Sequence, residues 1–231
     1  MEFCLSGSPS ITVSDYSRTT YHLFFHYTSA MQRIITVTAT LLAVASAAPC
    51  QTKSEAFNLR AKLTDSAQDL TPSVDGLYLS FDRIQQGVNI AVAKSEPTPF
   101  YLNDTEGGTT IVHDVASLYP VSLFVQGPDD FDSSYPAEHN VGVLVNDAAH
   151  GLEAFPSLTG PAAGTYLICR RDITFPSGPT ELPLPRFSYE GEDVPDDCAA
   201  VEFVPECATL AKLPDGAQWN HDFVITDSCV R

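Results

Sequence analysis

Apolar and polar residues alternate along much of the chain beyond residue 48, and this pattern indicates β-strands. Phe57, Leu59, Ala61 and Leu63 are each separated by one polar residue. A strand that buries one face and exposes the other gives this period of two. The same alternation predicts further strands over residues 77–81, 88–92, 100–103, 109–113, 121–126, 141–145, 165–170, 186–189, 200–204 and 219–225.

Turn-forming residues separate these predicted strands. Asp75-Gly76, Gly107-Gly108, Gly160-Pro161 and Asp215-Gly216 all fall between them, and Gly, Pro and Asp favour the backbone angles of tight turns. Short strands spaced in this way predict an all-β fold with long loops and very little helix. The expected architecture is an antiparallel β-sandwich or, alternatively, an irregular barrel.

A few segments depart from the alternation. Residues 114–119 and 146–152 are each expected to form one helical turn, residues 175–185 with their four prolines a long connection, and residues 190–197 an acidic loop. Strand patterns resume directly after the Pro-rich and acidic segments, so neither has the character of a domain linker. We therefore expect one domain with a core over about residues 54–225.

The N-terminal part of the chain has the composition of a secretory leader behind an extension. Residues 31–47 begin with Met31 and Arg33, continue into an apolar run and end in Ala45-Ser46-Ala47, the order of a signal peptide. The apolar run is shorter than the roughly 20 residues that span a bilayer. We expect residues 1–30 to be a spurious or disordered extension, 31–47 a signal peptide and 48–231 the secreted domain. The alternative is a genuine extension, which would make 31–48 an internal apolar segment.

Charge narrows the choice of partners. The 231 residues contain 12 Lys and Arg against 29 Asp and Glu, a formal net charge of −17. A polyanion repels phosphate groups, so neither a nucleic acid nor an anionic membrane is an expected partner. No second apolar stretch of membrane length follows the leader, and no membrane span is expected in residues 48–231.

Five cysteines follow the expected leader: Cys50, Cys169, Cys198, Cys207 and Cys229. In an oxidising compartment they should form disulfides, and the odd number leaves one without an intramolecular partner. Spacing alone leaves many pairing schemes open. We predict Cys169–Cys198 and Cys207–Cys229, with Cys50 as a free or intermolecular thiol. The paired Cys or His spacing of a zinc site is missing.

Two acidic clusters are candidates for a cation site. Asp129, Asp130 and Asp132 lie within four residues, and a flexible loop rich in carboxylates suits calcium. The second cluster is the acidic loop at 190–197. Each cluster has the simpler interpretation of a solvated acidic loop, and calcium is the one cofactor proposed for either. The basic pair Arg170-Arg171 is expected to end a strand and to offset nearby carboxylates.

The sequence contains no recognised catalytic motif. A nucleophile elbow, a zinc-protease helix and a phosphate-binding glycine loop are all missing. His113, His139, His150 and His221 stand far apart, and each is better explained as a structural residue than as a general base. A glycosidase pair of carboxylates stays open, because many acidic residues are available.

Surface chemistry offers two further candidates. Asn103-Asp104-Thr105 is the only N-glycosylation sequon, next to a predicted turn, and in a secreted protein Asn103 is expected to carry a glycan. Aromatic residues could also form a sugar-stacking platform, although such residues more often fill cores and edges. The residues in question are Tyr78, Tyr101, Tyr119, Tyr135, Tyr166, Tyr189 and Trp219.

Four segments together resemble a family of small secreted proteins of filamentous fungi that is catalogued as a domain of unknown function. The segments are Phe57-Asn58-Leu59, Gly87–Val92 with Phe100–Thr105, Tyr166–Cys169 and Pro195–Glu206. The resemblance implies an all-β secreted domain and supports the Cys169–Cys198 bridge. It brings no catalytic residues, and it does not extend to the tail from Cys207 to Arg231.

These observations predict a secreted, extracellular, acidic protein with disulfides, and they do not determine its biochemical role. The first hypothesis is a non-enzymatic binding or effector-type module for a cell-wall carbohydrate or a host surface. The second is an extracellular hydrolase that uses acidic residues. The third is a structural or interaction protein of the cell surface, linked to another extracellular protein through Cys50.

Overall fold

The computed structural model describes residues 51–85, 88–115, 119–130, 135–145, 152–213 and 215–231. Residues 1–30, the predicted leader at 31–47 and Cys50 lie outside the described residues. Asp132 and His150 also lie outside them. Within residues 51–231, which form one compact unit, the structure can be compared with the predictions.

Almost all regular structure in the described residues is β-strand, with one short 3-10 turn at Ser66–Gln68. In chain order the strands are β1 Gln51–Ser54, β2 Ala56–Leu63, β3 Tyr78–Gln85, β4 Val88–Lys94, β5 Pro99–Thr105, β6 Gly108–Val115, β7 Tyr119–Val125, β8 His139–Leu144, β9 Gly164–Phe175, β10 Gly178–Tyr189, β11 Cys198–Ala208, β12 Val224–Ile225 and β13 Asp227–Val230.

Eight of these strands close into a barrel. They pair in the order β2, β5, β6, β7, β8, β10, β9 and β11, and β11 returns to β2. The closing pair is antiparallel over the whole of β2, from Ala208 opposite Ala56 to Val201 opposite Leu63. The prediction of an antiparallel all-β fold is confirmed. Of the two expected arrangements, the structure adopts the barrel, with further strands added to it.

The β3–β4 hairpin spans this ring. β3 pairs with β2 where Tyr78 lies opposite Arg60, and β4 pairs with β3 along its length. β4 also contacts β8 and β10, which lie on the far side of the ring from β2. Leu79, Ala91 and Ala93 of the hairpin are therefore buried in the main core.

The core is built from the inward positions of the alternating pattern. Phe57, Leu59 and Ala61 of β2 are almost fully buried, as the sequence predicted. The rings of Phe57 and Phe100 stack at a centroid distance of 6.5 Å. Burying each large apolar side chain stabilises the fold by roughly 1.5–3 kcal/mol.

Among the described residues, one disulfide links two strands of the barrel and a second joins the C-terminal strand β13 to it. Cys169 and Cys198 lie opposite each other on β9 and β11 and are bonded. Cys207 at the end of β11 is bonded to Cys229 of β13. β13 in turn pairs with β1. These pairs coincide with the ones expected from the sequence.

The expectation of a long connection over residues 175–185 is wrong. β9 continues to Phe175 and β10 begins at Gly178, so that the two strands form a twelve-residue hairpin. Pro179, Pro183 and Pro185 are an even number of residues apart, and their missing N–H groups therefore face the same edge of β10. β10 pairs with β8 only at residues 186–187. Prolines are tolerated where a strand edge has no partner.

The helical turn expected at 114–119 is also wrong. Asp114 and Val115 complete β6, and Tyr119 begins β7 opposite Val115. β-Branched residues such as Ile111 and Val121 favour strands on either side of this point. The second expected turn, at 146–152, lies almost entirely outside the described residues.

Candidate functional site

A surface cleft of about 550 Å³ lies where the start of β8, the middle of β9 and the acidic loop between β10 and β11 meet. We call it the acidic cleft. Its walls are formed by Tyr135, Pro136, Ala137, Glu138, Arg171, Glu192, Asp193, Pro195 and Asp197. A turn closed by the Glu138 N–H and the Tyr135 carbonyl, 3.0 Å apart, leads into β8 and forms one wall.

A buried arginine organises the floor of the cleft. Arg171, on β9, is 6 % exposed, and Glu138 beside it is 2 % exposed. Arg171 Nε donates to Glu138 Oε2 at 3.2 Å, and Nη2 donates to Oε1 of the same carboxylate. Such a fork of parallel hydrogen bonds is the strong form of an ion pair. Arg186 Nε lies 3.6 Å from Glu138 Oε2 and adds a second cation.

The same arginine binds the acidic loop. Its Nη1 donates to Asp197 Oδ2 at 2.7 Å and its Nη2 to Oδ1 at 3.0 Å. These hydrogen bonds lower the pKa of Asp197 below its usual value. One guanidinium therefore ties the loop to two strands of the barrel.

Arg171 also positions the aromatic wall of the cleft. Its guanidinium carbon lies 4.4 Å from the centroid of the Tyr135 ring, a cation–π contact. The ring nevertheless stays 42 % exposed. Tyr135 is therefore held in place while part of its surface faces solvent.

A hydrogen bond between His139 and Glu192 anchors the other end of the loop. His139 is fully buried, and its Nδ1 lies 3.0 Å from the Gly127 carbonyl and 3.2 Å from the Asp130 carbonyl. Carbonyl oxygens only accept hydrogen bonds, so Nδ1 carries a hydrogen. Nε2 lies 2.9 Å from Glu192 Oε1, which also needs a hydrogen between the two atoms.

The contact with His139 also changes the acidity of Glu192. Burial acts to raise the pKa of Glu192, but the hydrogen bonds from His139 and from the Tyr189 N–H outweigh burial and lower it. At neutral pH Glu192 is therefore ionised, and the buried His139 ring holds this loop carboxylate by a hydrogen bond.

Asp193 differs from the other carboxylates of the cleft. Glu138, Glu192 and Asp197 each contact a basic side chain. Among the described residues, Asp193 has no hydrogen-bond or ion-pair partner, and it is exposed. The cleft therefore offers one uncompensated carboxylate and one exposed aromatic ring in the same lining. Cations and hydroxyl groups are the groups that it can bind.

The side chains beneath the floor of the acidic cleft do not suit a metal ion. Within the described part of the chain, the one group with three potential ligands is Glu138, Cys169 and Cys198. The two cysteines form a disulfide, so they supply no thiolate, which is the form in which cysteine binds a metal. The bridge instead packs under the ion pair, with Arg171 Nη2 at 3.5 Å from Cys198 Sγ.

The residues that form this site lie within a segment that matches a known protein family. A family model described as a domain of unknown function, DUF7907, matches residues 54–207. The chain belongs to this family. The match includes every residue that lines the acidic cleft and ends before most of the C-terminal segment.

One curated relative is the antigenic protein SchS34 of the fungus Stachybotrys chartarum. It is 25 % identical over 207 residues, which cover 78 % of this chain and 88 % of the relative. The family resemblance inferred from the sequence is confirmed by these two matches. No solved structure matches the chain significantly. Among the described residues, no helix has the length and apolar character to cross a membrane.

Asp129 and Asp130 of the predicted calcium loop do not line the acidic cleft. Asp129 and Asp130 are exposed at a turn in which the Asp130 N–H donates to the Gly127 carbonyl at 3.1 Å. They belong to no three-ligand group among the described residues. Asp132 lies outside these residues, so calcium binding in this loop stays a prediction.

The sequon lies in a strand rather than in a turn. Asn103 belongs to β5, is half-buried and lies opposite Thr110 of β6 and Val224 of β12. The turn begins only at residue 106. Glycosylation of Asn103 stays a prediction.

The candidate aromatic platform is dispersed over the barrel. Tyr166 packs into the core against Phe187 and Phe203. Tyr135 reaches the cleft. Tyr101 and Trp219 instead meet at Asp114, where Tyr101 Oη and Trp219 Nε1 donate to Oδ1 at 2.9 and 3.1 Å.

The sequence analysis did not identify Glu138 or His139 as site residues. Features of the sequence partly indicated their partners, Arg171 and the acidic loop. Arg170-Arg171 is a rare basic pair in a chain of net charge −17, and the acidic loop was expected to need neutralising groups. In the structure Arg171 fulfils both expectations, because it pairs with Glu138 and with Asp197 of the acidic loop. The pairing itself depends on β8, β9 and the loop being adjacent, which no local pattern reports.

Proposed function

We propose that this protein is a secreted, non-enzymatic binding module whose acidic cleft holds a neutral or cationic cell-wall oligosaccharide. One observation carries the proposal: the exposed ring of Tyr135, fixed by Arg171, lines the same cleft as the uncompensated carboxylate of Asp193. An aromatic face packs against the C–H face of a sugar ring. A carboxylate accepts hydrogen bonds from hydroxyl groups and pairs with the ammonium group of an amino sugar.

Extracellular action is supported by three independent features. The described residues contain two disulfides, which persist in oxidising compartments. Residues 31–47 have the order of a signal peptide. The curated relative is named as an antigenic protein of a filamentous fungus, a description that fits a protein met outside the cell.

The electrostatics of the cleft favour binding over hydrolysis. A glycosidase needs one carboxyl group that stays protonated, which requires a raised pKa. The pKa values of Glu192 and Asp197 are both lowered by their basic partners. Glu138 accepts the Arg171 fork and is buried. These carboxylates hold the cleft together, and Asp193 is the one left for a ligand.

The test is isothermal titration calorimetry with two oligosaccharides of equal length, one of N-acetylglucosamine and one of glucosamine. Tyr135→Ala should weaken the binding of both by about tenfold or more, and Tyr135→Phe should retain it. Asp193→Asn should weaken the binding of the cationic oligomer by about two- to fivefold at low salt.

Matched controls lie in the same chain. Asp196→Asn removes one exposed carboxylate from the same loop, but Asp196 does not line the cleft. Phe223→Ala removes an aromatic ring that is 58 % exposed elsewhere. Both control variants should bind as the unmodified protein does. Equal losses in Asp193→Asn and Asp196→Asn, or no binding of either sugar, would refute the proposal. Shortened oligomers after incubation would favour the hydrolase instead.

A further inference from the structure

A second cavity lies between the β3–β4 hairpin and the wall formed by β6, β7 and β8. Its volume is about 190 Å³. The residues that line it are Phe81, Arg83, Asn89, His113, Val115, Tyr119 and Val143. None of them lines the acidic cleft, so a ligand bound in this cavity is independent of the proposed function.

At this cavity, polar side chains occupy inward-facing positions in strands whose neighbouring inward positions are apolar. Ile111 is fully buried in the main core, and His113 is the next residue on the same face of β6. On β4, Asn89 precedes the buried Ala91 on the same face. Polar groups at inward positions are unfavourable unless they have a hydrogen-bond partner. His113 and Asn89 are only partly buried, so their remaining polar atoms can reach water or a ligand in the cavity.

His113 presents a hydrogen-bond acceptor to the cavity. Its Nδ1 lies 3.0 Å from the Pro99 carbonyl, so Nδ1 carries the hydrogen and donates it. Among the described residues Nε2 has no partner, and the only buried side-chain nitrogen or oxygen without one is Arg170 Nε. Nε2 is therefore accessible. Burial lowers the pKa of His113, although the Pro99 contact and Asp114 act in the opposite direction, and the neutral ring leaves the Nε2 lone pair free to accept.

Aromatic and apolar side chains form most of the cavity around His113, alongside Asn89 and Arg83. The ring of Phe81 stacks against that of His113 at a centroid distance of 6.0 Å, and Phe100 lies 5.9 Å from it. Tyr119, Val115 and Val143 complete the walls, and Arg83 is exposed at the mouth. A cavity of about 150 Å³ with apolar walls already accommodates benzene. A space of 190 Å³ suits a single six-membered ring with a small substituent.

We propose that this cavity binds a monocyclic phenol, with its ring against Phe81 and its hydroxyl donating to His113 Nε2. The size excludes larger ligands, since pockets for drug-sized molecules begin at about 300 Å³. The accessible acceptor selects a ligand that carries a donor. Eight-stranded barrels are wide enough to hold one small ligand among their side chains.

The experiment compares phenol with toluene, in which a methyl group replaces the hydroxyl at nearly the same volume. Both are titrated into the full chain by calorimetry, and the ring nitrogens of His113 are followed by NMR in ¹⁵N-labelled protein. Toluene strips water from Nε2 without replacing its hydrogen bond, so phenol should bind about five- to a hundredfold more tightly. Phenol, but not toluene, should shift the Nε2 resonance.

Two variants separate the hydrogen bond from the cavity. His113→Phe keeps an aromatic ring and removes the acceptor, so the preference for phenol over toluene should disappear. Val143→Phe fills the cavity and should abolish binding of both, whereas Val145→Phe, at an exposed position two residues further on, should bind normally. If His113→Phe does not fold, the toluene comparison and the Val143→Phe variant still decide. Equal affinity for phenol and toluene, or no saturable phenol binding, would overturn the proposal.

Discussion

Replacing Arg171 by Met should destabilise the protein more than any other single change to its surface loops or clefts. The substitution leaves Glu138, whose side chain is 1 % exposed, as a buried carboxylate without its fork of hydrogen bonds. Removing one partner of a buried ion pair typically costs about 3–5 kcal/mol. In a domain of this size each kcal/mol corresponds to about 2–4 °C, so the melting temperature should fall by roughly 6–20 °C.

The neighbouring residue provides a control for this prediction. Arg170 Nη1 lies 3.4 Å from Glu181 Oε1, and Glu181 is largely exposed. Exposed pairs contribute about 0–1 kcal/mol, so Arg170→Met should cost much less. The double variant Arg171→Met with Glu138→Leu should recover a large part of the loss, because it removes both buried charges.

The assay is urea unfolding followed by far-UV circular dichroism, with the free energy of unfolding extrapolated to water. Similar losses for Arg171→Met and Arg170→Met would refute the argument that the buried fork stabilises the fold. So would a double variant that is as unstable as the sum of its single variants. Either result would mean that water or the neighbouring Arg186 satisfies Glu138 in the absence of Arg171.

Three further perturbations test other parts of the structure. The pKa of Glu192 is lowered in the folded protein. Its contribution to stability is therefore present above the unfolded carboxyl pKa of about 4.3 and is lost as the pH falls through the lower folded pKa. Glu192→Gln should accordingly melt at a lower temperature than the unmodified protein at pH 7, and the two melting temperatures should converge in acid. Replacing Cys207 and Cys229 by Ser opens a loop of sequence separation 22 and should lower the free energy of unfolding by roughly 3 kcal/mol, as measured in urea. Trp219→Phe removes the hydrogen bond to Asp114, so the segment before β12 should be cleaved faster in limited proteolysis while the barrel stays intact.

The sequence predicted the strands well because their signal is local. Phe57, Leu59 and Ala61 alternate with polar residues and face the core of β2. Such local patterns do not predict the closure of the barrel, because Val201 and Leu63 pair although they lie far apart in the sequence. The Pro-rich hairpin was misjudged for a related reason. Proline has no N–H to donate to a neighbouring strand, so a Pro-rich segment argues against a strand that is paired on both edges. Only the tertiary structure shows that this part of β10 lacks a second partner strand.

The candidate sites were harder to predict than the fold. The Arg170-Arg171 pair and the acidic loop were visible in the sequence. However, Glu192 and Asp197 of the loop contact basic side chains while Asp193 does not, and that difference depends on side-chain geometry. His113 carried a clearer signal. It interrupts an inward-facing row after Ile111, and a polar residue at such a position can be recognised once the period of two is accepted.

The boundary of the family match separates the two candidate sites from the C-terminal segment. Both the acidic cleft and the phenol-sized cavity are lined by residues within 54–207. Trp219 and His221 lie beyond that boundary and cover Tyr101 through Asp114, with His221 Nε2 at 2.9 Å from Oδ2. The C-terminal segment therefore covers one outer face of the barrel and leaves both sites open. A chain that ended near residue 207 would keep the residues that line both sites, but it would lose the Cys207–Cys229 bridge and expose the face around Tyr101.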